Sequence, residues 1–227
     1  MVEATDPVFQ FESVSFSYPG GQALFHELSL DMEAGQLYHL SGPSGSGKSS
    51  LLRLMIRLET PQQGRILFKE NPVADTYPPH LRRSVLYMPQ TPVAMDNSVR
   101  DFLLRPFAFK ANQDLDPPDD QQLESRLTDF QLTDVGLGDH TETLSVGQLQ
   151  RLSFIRGLLL SPELLLLDEP TSALDKKSAD ILEDHLEKLC GESDVTVLLV
   201  SHREMRNMTT NYHSLILRNG KITQALE

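Results

Sequence analysis

Cysteine, positive charge and long apolar runs are all scarce in this chain of 227 residues. The single cysteine, Cys190, excludes an internal disulfide and suits a reducing compartment. Acidic residues outnumber basic residues by 32 to 20, and the net charge of -12 argues against nucleic acid as a partner, because phosphate backbones attract basic surfaces. No apolar run approaches the roughly 20 residues of a membrane span, and the acidic first residues predict no signal peptide. We therefore expect a cytoplasmic chain that reaches a membrane only through another subunit.

Strand patterns and helix patterns alternate along the chain, which predicts an α/β fold with a mostly parallel sheet covered on both faces. The predicted strands are residues 8–17, 24–30, 36–40, 65–69, 85–88, 164–167 and 195–200, with a last hairpin, 214–217 and 221–224, around the turn Asn219-Gly220. The predicted helices are residues 48–58, 98–109, 119–130, 147–160 and 176–190. The stretch from about 92 to 144 is mainly helical, which indicates a helical lobe inserted between core strands.

A glycine- and serine-rich loop follows the strand at 36–40 and opens the helix at 48–58. Its sequence, GPSGSGKS, fits the phosphate-loop pattern G-x-x-x-x-G-K-[ST] without a mismatch. Such a loop curls its N–H groups around phosphates, Lys48 adds a point charge, and the Ser49 hydroxyl can bind Mg²⁺. We predict that the phosphates of a nucleotide are held by Gly42, Pro43, Ser44, Gly45, Ser46, Gly47, Lys48, Ser49 and Ser50. A phosphate loop alone does not identify the reaction, because kinases, GTPases and motor ATPases all use one. The chain has no N-K-x-D motif, which disfavours a Ras-type GTPase.

Two carboxylates end the apolar strand at 164–167. In a parallel sheet, ligands bind at the carboxyl ends of the strands, so Asp168 is placed to hold Mg²⁺ and Glu169 to orient the attacking water. A strand that merely ends in solvated acids is the alternative. The phosphate loop in the same chain makes the metal and base roles the better interpretation.

The segment Leu144–Gln148, LSVGQ, resembles the L-S-G-G-Q signature motif of ABC ATPases. The other motifs of that family follow in the expected order: an aromatic residue for adenine stacking, a Q-loop glutamine, a D-loop and a switch histidine. They are matched by Tyr18, Gln90, Ser172-Ala173-Leu174-Asp175 and His202. Independently of the family, Ser145 and Gln148 form the S-x-x-Q pattern of a capping box at a helix N-terminus, which can bind an anion. Val146 departs from the family pattern, which has glycine at this position.

The resemblance implies a P-loop NTPase (RecA-like) core with an N-terminal antiparallel β lobe and an inserted helical lobe, all in one ABC ATPase domain over residues 1–227. We expect the core and β lobe in 1–90 and 155–227 and the helical lobe at about 91–154. In the family, two ATPase domains meet head to tail, and each signature motif closes on the ATP of the other domain. The resemblance therefore implies ATP and Mg²⁺ as ligands, with a second copy of the chain and an integral membrane permease as partners at the inner face of the membrane.

Site roles follow from the same resemblance, residue by residue. The catalytic residues are Glu169, His202, Lys48 and Gln90, and the metal ligands are Ser49, Gln90 and Asp168. The nucleotide is also contacted by Tyr18, Ser145, Gly147, Gln148 and Asp175. The other six histidines are interpreted as surface or packing residues: His26, His39, His80, His140, His185 and His213.

Several interpretations stay open at this point. Asp175 could simply cap the helix that follows it, and the many apolar residues of 98–109 could form either core or a docking groove. The segments 90–92 and 96–101 resemble small bacterial exporter ATPases, including an iron-export type. A non-transport ABC ATPase and a module that holds ATP without hydrolysing it are the alternatives, although the latter usually lacks the base or the lysine.

Overall fold

The computed structural model describes residues 7–172, 174–203 and 211–224. Its N-terminal part is a four-stranded sheet in the order β2-β1-β4-β5. The strands are β1 (Phe9–Ser17), β2 (Ala23–Met32), β4 (Gln63–Phe68) and β5 (Asn71–Pro72), and every pairing between them is antiparallel. Phe9 and Phe11 alternate into the core, and an irregularity at Ser13, which has positive φ, shifts the alternation by one residue so that Val14 and Phe16 are buried in the same cluster. This sheet is the predicted antiparallel β lobe.

The second sheet has six strands in the order β10-β9-β3-β8-β7-β6. Its strands are β3 (Leu37–Ser41), β6 (Val85–Met88), β7 (Leu164–Asp168), β8 (Thr196–Val200), β9 (Tyr212–Arg218) and β10 (Lys221–Gln224). All neighbours are parallel except β9 and β10, which form the predicted hairpin around Asn219 and Gly220, both with positive φ. The mostly parallel core is thus confirmed.

Strand β7 shows why four consecutive leucines form a central strand. Leu164 and Leu166 belong to an apolar cluster with the β lobe and the phosphate-loop helix, whereas Leu165 and Leu167 belong to a second cluster with the helices at 99–104, 120–129, 146–158 and 176–192. All five residues of β7 are buried, because both faces of the sheet are covered. This double burial fixes the position of Asp168 at the end of the strand.

The helices are α1 (Lys48–Met55), α2 (Pro78–Ser84), α3 (Val99–Leu104), α4 (Asp120–Asp129), α5 (Val146–Leu158) and α6 (Lys176–Glu192). Helices α3, α4 and α5 contribute to the second cluster and stand between β6 and β7 in the chain, as predicted for an inserted helical lobe. Among the described residues, no helix is both long enough and apolar enough to cross a bilayer.

Two predicted helices are wrong in extent: the helix at 48–58 ends at Met55, and the helix at 98–109 differs more. The helix at 98–109 ends at Leu104 and continues as two 3₁₀ turns, Arg105–Ala108 and Lys110–Asn112. Pro106 explains the break, because its ring lacks an N–H and clashes with the carbonyl four residues earlier in an α-helix. As a result Phe109 leaves the core and is 56% exposed, whereas Phe102 is fully buried.

Candidate active site

The phosphate loop connects β3 to α1. Two of its positions require glycine, because atoms of other segments lie too close to the loop backbone for a Cβ atom. A Cβ on Gly42, at φ 152°, would lie 2.4 Å from the carbonyl oxygen of Leu217. A Cβ on Gly47, at φ 101°, would lie 2.9 Å from the ring of Phe25. The backbone can therefore make this curl only with glycine at both positions.

Lys48 is buried and folds back across the loop that precedes it. Its Nζ donates to the carbonyl of Gly42 at 2.8 Å and to the carbonyl of Pro43 at 3.1 Å. The buried hydroxyl of Ser46 has no hydrogen-bond partner among the described residues. A buried polar atom of this kind is expected to bind a ligand or water, so the loop fits an oxyanion ligand.

Tyr18 lies beside the start of α1. Its hydroxyl is 3.2 Å from Oγ of Ser50, and its ring packs edge-on against Phe16 at 5.0 Å. The side chain predicted to stack on adenine is therefore placed at the flank of the phosphate loop, next to the predicted phosphate-binding residues.

Asp168 is buried at the end of β7, where its Oδ2 accepts a hydrogen bond of 3.2 Å from the hydroxyl of Tyr87. Burial, followed by the negative charge of Asp168, is the main cause that raises the pKa of Tyr87 to about 12. The phenol therefore stays protonated and donates. The sequence analysis missed Tyr87. Its only signal is its place on β6, the strand that pairs with β7 and leads to Gln90.

The side chain of Glu169 joins two other residues that were predicted to be catalytic. Its Oε2 accepts a 3.1 Å hydrogen bond from Nε2 of Gln90, and its Oε1 lies 3.1 Å from Nε2 of His202. These three residues follow β6, β7 and β8, three adjacent parallel strands, so their carboxyl ends bring the side chains together. Glu169 has φ 49°, an unusual value for a residue with a side chain and one that is enriched at functional sites.

The signature segment begins α5 with the predicted capping box. Oγ of Ser145 accepts from the N–H of Gln148, and the Gln148 side chain accepts from the N–H of Ser145. Val146 has ordinary negative φ and its side chain is 53% exposed, so the departure from glycine causes no strain in the chain itself. Among the described contacts, no hydrogen bond or ion pair joins Ser145, Gly147 or Gln148 to the phosphate loop or to Glu169.

Asp175 caps α6, as one of the two interpretations predicted. Its Oδ1 accepts from the N–H of Ser178 at 2.9 Å, and its Oδ2 accepts from the Ser178 hydroxyl at 3.1 Å. The Ser178 N–H is the main cause that lowers the pKa of this carboxyl. Ala173, in the same predicted D-loop, lies outside the described residues.

Comparisons with known proteins agree with these motifs. The sequence profile of the family described as ABC transporter matches residues 25–172. The "probable iron export ATP-binding protein FetA" of Escherichia coli (strain K12) is 32% identical over 201 residues, which cover 88% of this chain and 87% of FetA. The "ATP-dependent lipid A-core flippase" of Ralstonia nicotianae is 33% identical over 95% of this chain but only 37% of its own length. The chain thus spans well under half the length of this relative, whereas it spans most of FetA.

Solved structures show the same fold. A bacterial Atm1-family ABC exporter with ATP bound superimposes with a TM-score of 0.80 at 24% identity, over 98% of this chain and 40% of that one. The cbiO1 protein from Clostridium perfringens, part of the ABC transporter complex cbiONQ, gives 0.80 at 21% identity, over 96% and 87% of the two chains. Both the family profile and FetA cover most of the chain, so it belongs to the ATP-binding proteins of ABC transporters, a family of ATPases coupled to transport.

Proposed function

We propose that this chain is the ATP-hydrolysing motor subunit of a membrane transporter, acting as one domain with a helical lobe at about 91–154. The observation that supports hydrolysis best is the cluster of Gln90, Glu169 and His202 at the ends of three strands, on the sheet whose strand β3 leads into the phosphate loop. In this proposal Glu169 orients and polarises the attacking water, His202 contacts the γ-phosphate, and Lys48 holds the β- and γ-phosphates.

The donor set fits the Mg²⁺ that accompanies ATP. The Ser49 hydroxyl, the Asp168 carboxylate and the side-chain oxygen of Gln90 are hard oxygen donors, which Mg²⁺ prefers. The amide nitrogen of Gln90 already donates to Glu169, which leaves its oxygen for the metal. The ion would neutralise charge on the β- and γ-phosphates. Tyr18 is proposed to stack on the adenine.

We further propose that the site is completed by a second copy of the chain. The signature residues make no described contact with the phosphate loop of their own chain, although the dipole of α5 favours an anion at its N-terminus. A head-to-tail dimer would place Ser145, Gly147 and Gln148 of one copy on the ATP held by the other copy. Asp175, at the start of α6, would lie at the same interface.

The partner in the membrane is proposed to dock in a groove between α2, the 3₁₀ turns and α5. The groove encloses about 830 Å³ and exposes two aromatic rings, Tyr77 at 63% and Phe109 at 56%. Such a pair of exposed aromatic residues is typical of a binding surface. Its rim is basic, although the chain as a whole is strongly acidic, with Arg82, Arg83, Arg105, Lys110 and Arg156 along it.

In the part of the chain that the structure describes, Arg83 is the one cation of this rim that pairs with a carboxylate, that of Asp114. Among the described residues, neither Arg105 nor Arg156 forms an ion pair, and the guanidinium of Arg156 lies 3.9 Å from the Phe102 ring centroid. Burial is the main cause that lowers the pKa of Arg156, and the positive charge of Arg105 is the second. An occupant with an apolar side chain and a carboxylate would pack against the exposed aromatic rings and pair with the basic rim. We therefore propose a cytoplasmic helix or loop of a permease, with the ATPase at the inner face of the membrane.

Export is the proposed direction of transport, because FetA and the flippase are described as an iron export protein and a flippase. Iron is the first cargo to test, on the description of FetA alone. A non-transport ABC ATPase remains the second candidate, and the nature of the partner separates the two.

Affinity purification from detergent-solubilised membranes tests the transporter proposal. Tagged wild-type chain is expected to retain one multi-span membrane protein in stoichiometric amount, identified by mass spectrometry. The double variant Arg105→Glu, Phe109→Asp is expected to retain about tenfold less, since rim charge and an aromatic anchor are both lost. The matched control is Lys221→Glu, an exposed cation on β10, outside the groove.

Circular dichroism on heating should show that the double variant unfolds at the wild-type temperature. Recovery of only soluble partners, or of none, would favour the non-transport ATPase. Full retention of the permease by the double variant would place the docking surface elsewhere.

A further inference from the structure

A buried histidine lies directly behind the turn that carries His202. His39, in the middle of β3, is only 5% exposed, and its Nε2 lies 3.2 Å from the carbonyl oxygen of Ser201. Its Nδ1 lies 3.0 Å from the hydroxyl of Tyr212 on β9. A carbonyl oxygen can only accept, so Nε2 carries a hydrogen and donates it to Ser201. Both ring nitrogens therefore have hydrogen-bond partners.

The carbonyl that His39 holds belongs to the peptide between Ser201 and His202. The Ser201 hydroxyl bonds with the N–H of Arg203 at 3.0 Å and with its carbonyl at 3.2 Å, which closes a tight turn around His202. On the far side, Arg203 pairs with Asp180 of α6 at 3.5 Å. The backbone on either side of His202 is thus fixed, whereas the imidazole of His202 is 51% exposed.

An exposed side chain with few neighbours takes its direction from the backbone that carries it. His202 reaches Glu169 only if the Ser201–His202 peptide keeps its orientation, and the described contact that fixes its carbonyl is the one from His39. Packing alone does not explain a histidine here, because an apolar side chain of similar size would fill the space without burying two polar nitrogens.

We infer that His39 is a positioning residue for hydrolysis, which acts by holding the Ser201 carbonyl so that His202 faces the γ-phosphate. This inference rests on the proposed role of His202. It assigns a function to a histidine that the sequence indicates only as a surface or packing residue. His39 itself touches neither the nucleotide nor the reacting atoms in this account.

Three substitutions separate positioning from packing. His39→Leu keeps a similar apolar volume but removes the donor, and His39→Gln keeps an N–H donor and an acceptor. The matched control is His213→Leu on the same strand as Tyr212, where His213 stacks on Tyr38 at 4.8 Å and bonds the Gln36 side chain but not Ser201. Each variant is assayed for kcat and KM by phosphate release and for binding of a fluorescent ATP analogue, below its measured unfolding temperature.

His39→Leu is expected to lower kcat about ten- to a hundredfold, the range expected when a catalytic group is misplaced. Binding of the ATP analogue should stay at the wild-type value, because His39 is proposed to act on the Ser201 carbonyl and not on the nucleotide. His39→Gln should recover a substantial part of kcat, and His213→Leu should match the wild type. Wild-type kcat in His39→Leu, a rise in KM alone, or an equal loss in His213→Leu would overturn the inference.

His202→Ala, assayed in parallel, distinguishes failure of the inference from failure of the proposed function. Wild-type turnover in His202→Ala would remove the proposed role of His202, and with it the role of His39. A loss in His202→Ala without a loss in His39→Leu would overturn only the positioning role. If His39 acts through His202, the double variant should be no slower than His202→Ala.

Discussion

Replacing Glu169 by glutamine is expected to stop hydrolysis and to trap the chain as an ATP-bound dimer. Glutamine has nearly the same shape and keeps an oxygen that can accept from Gln90, but it cannot take a proton from water. Loss of a general base should lower kcat by about 10²- to 10⁴-fold. Since hydrolysis is proposed to reopen the dimer, the variant should remain closed. Phosphate release and multi-angle light scattering with Mg·ATP measure the two effects.

Glu124→Gln is the matched control, because this exposed residue on α4 undergoes the same chemical change away from the cluster. It should hydrolyse ATP at the wild-type rate and show the same mass distribution as the wild type. A Glu169→Gln chain that stays monomeric at saturating ATP would count against the sandwich mechanism. Undiminished turnover would remove Glu169 as the base.

Replacing Lys48 by alanine is expected to abolish nucleotide binding and hydrolysis. The buried ammonium is the one charge that the phosphate loop brings to the phosphates, and its Nζ also ties the loop carbonyls of Gly42 and Pro43 together. Loss of bonds to a charged group of this kind costs up to about 3 kcal/mol, so ATP affinity should fall by about a hundredfold, and binding should be lost at the ATP concentrations that half-saturate the wild type. Isothermal titration calorimetry with ATP measures the change.

Lys69→Ala is the control for the lysine prediction. Lys69 pairs with Glu163 at the surface, so its removal should leave ATP affinity unchanged. A thermal unfolding scan shows whether Lys48→Ala is folded before its affinity is interpreted. Retained turnover in a folded Lys48→Ala chain would remove the phosphate-loop assignment.

Local apolar pattern predicted the core strands, and the family resemblance indicated Gln90, Glu169 and His202, which cluster at the ends of three of them. An apolar run with two acids at its end defines β7 and Asp168, and the parallel order brings Gln90, Glu169 and His202 to one edge. Pattern analysis did not predict α2, because Leu81 is the only buried residue of this helix and its seven residues show no helical spacing of apolar side chains. Pattern analysis also extended the helix at 98–109 across Pro106, whereas the α-helix ends at Leu104 in the structure.

Side-chain contacts between segments that are distant in the chain could not be predicted from the sequence. His39 meets Ser201 across 162 positions and Tyr87 meets Asp168 across 81, and nothing in either short segment indicates its partner. Such pairs form only after β3, β8, β6 and β7 have aligned in the sheet. The motifs identified Glu169, His202 and Asp168, whereas the contacts of His39 and Tyr87 became visible only in the fold.

In the proposed dimer, one ATP is held between the phosphate loop of one copy and the signature motif of the other. Cross-linking of two differently tagged chains, each with Glu169→Gln, tests this arrangement. One chain carries Ser44→Cys in the phosphate loop, and the other carries Val146→Cys in the signature motif. Both positions are exposed, and the native Cys190 is buried, so a short bismaleimide should react at the introduced thiols. We expect a cross-link between the two tagged chains that forms with Mg·ATP and is absent without nucleotide. A cross-link that forms equally without ATP, or none between the two tags when ATP is bound, would contradict it.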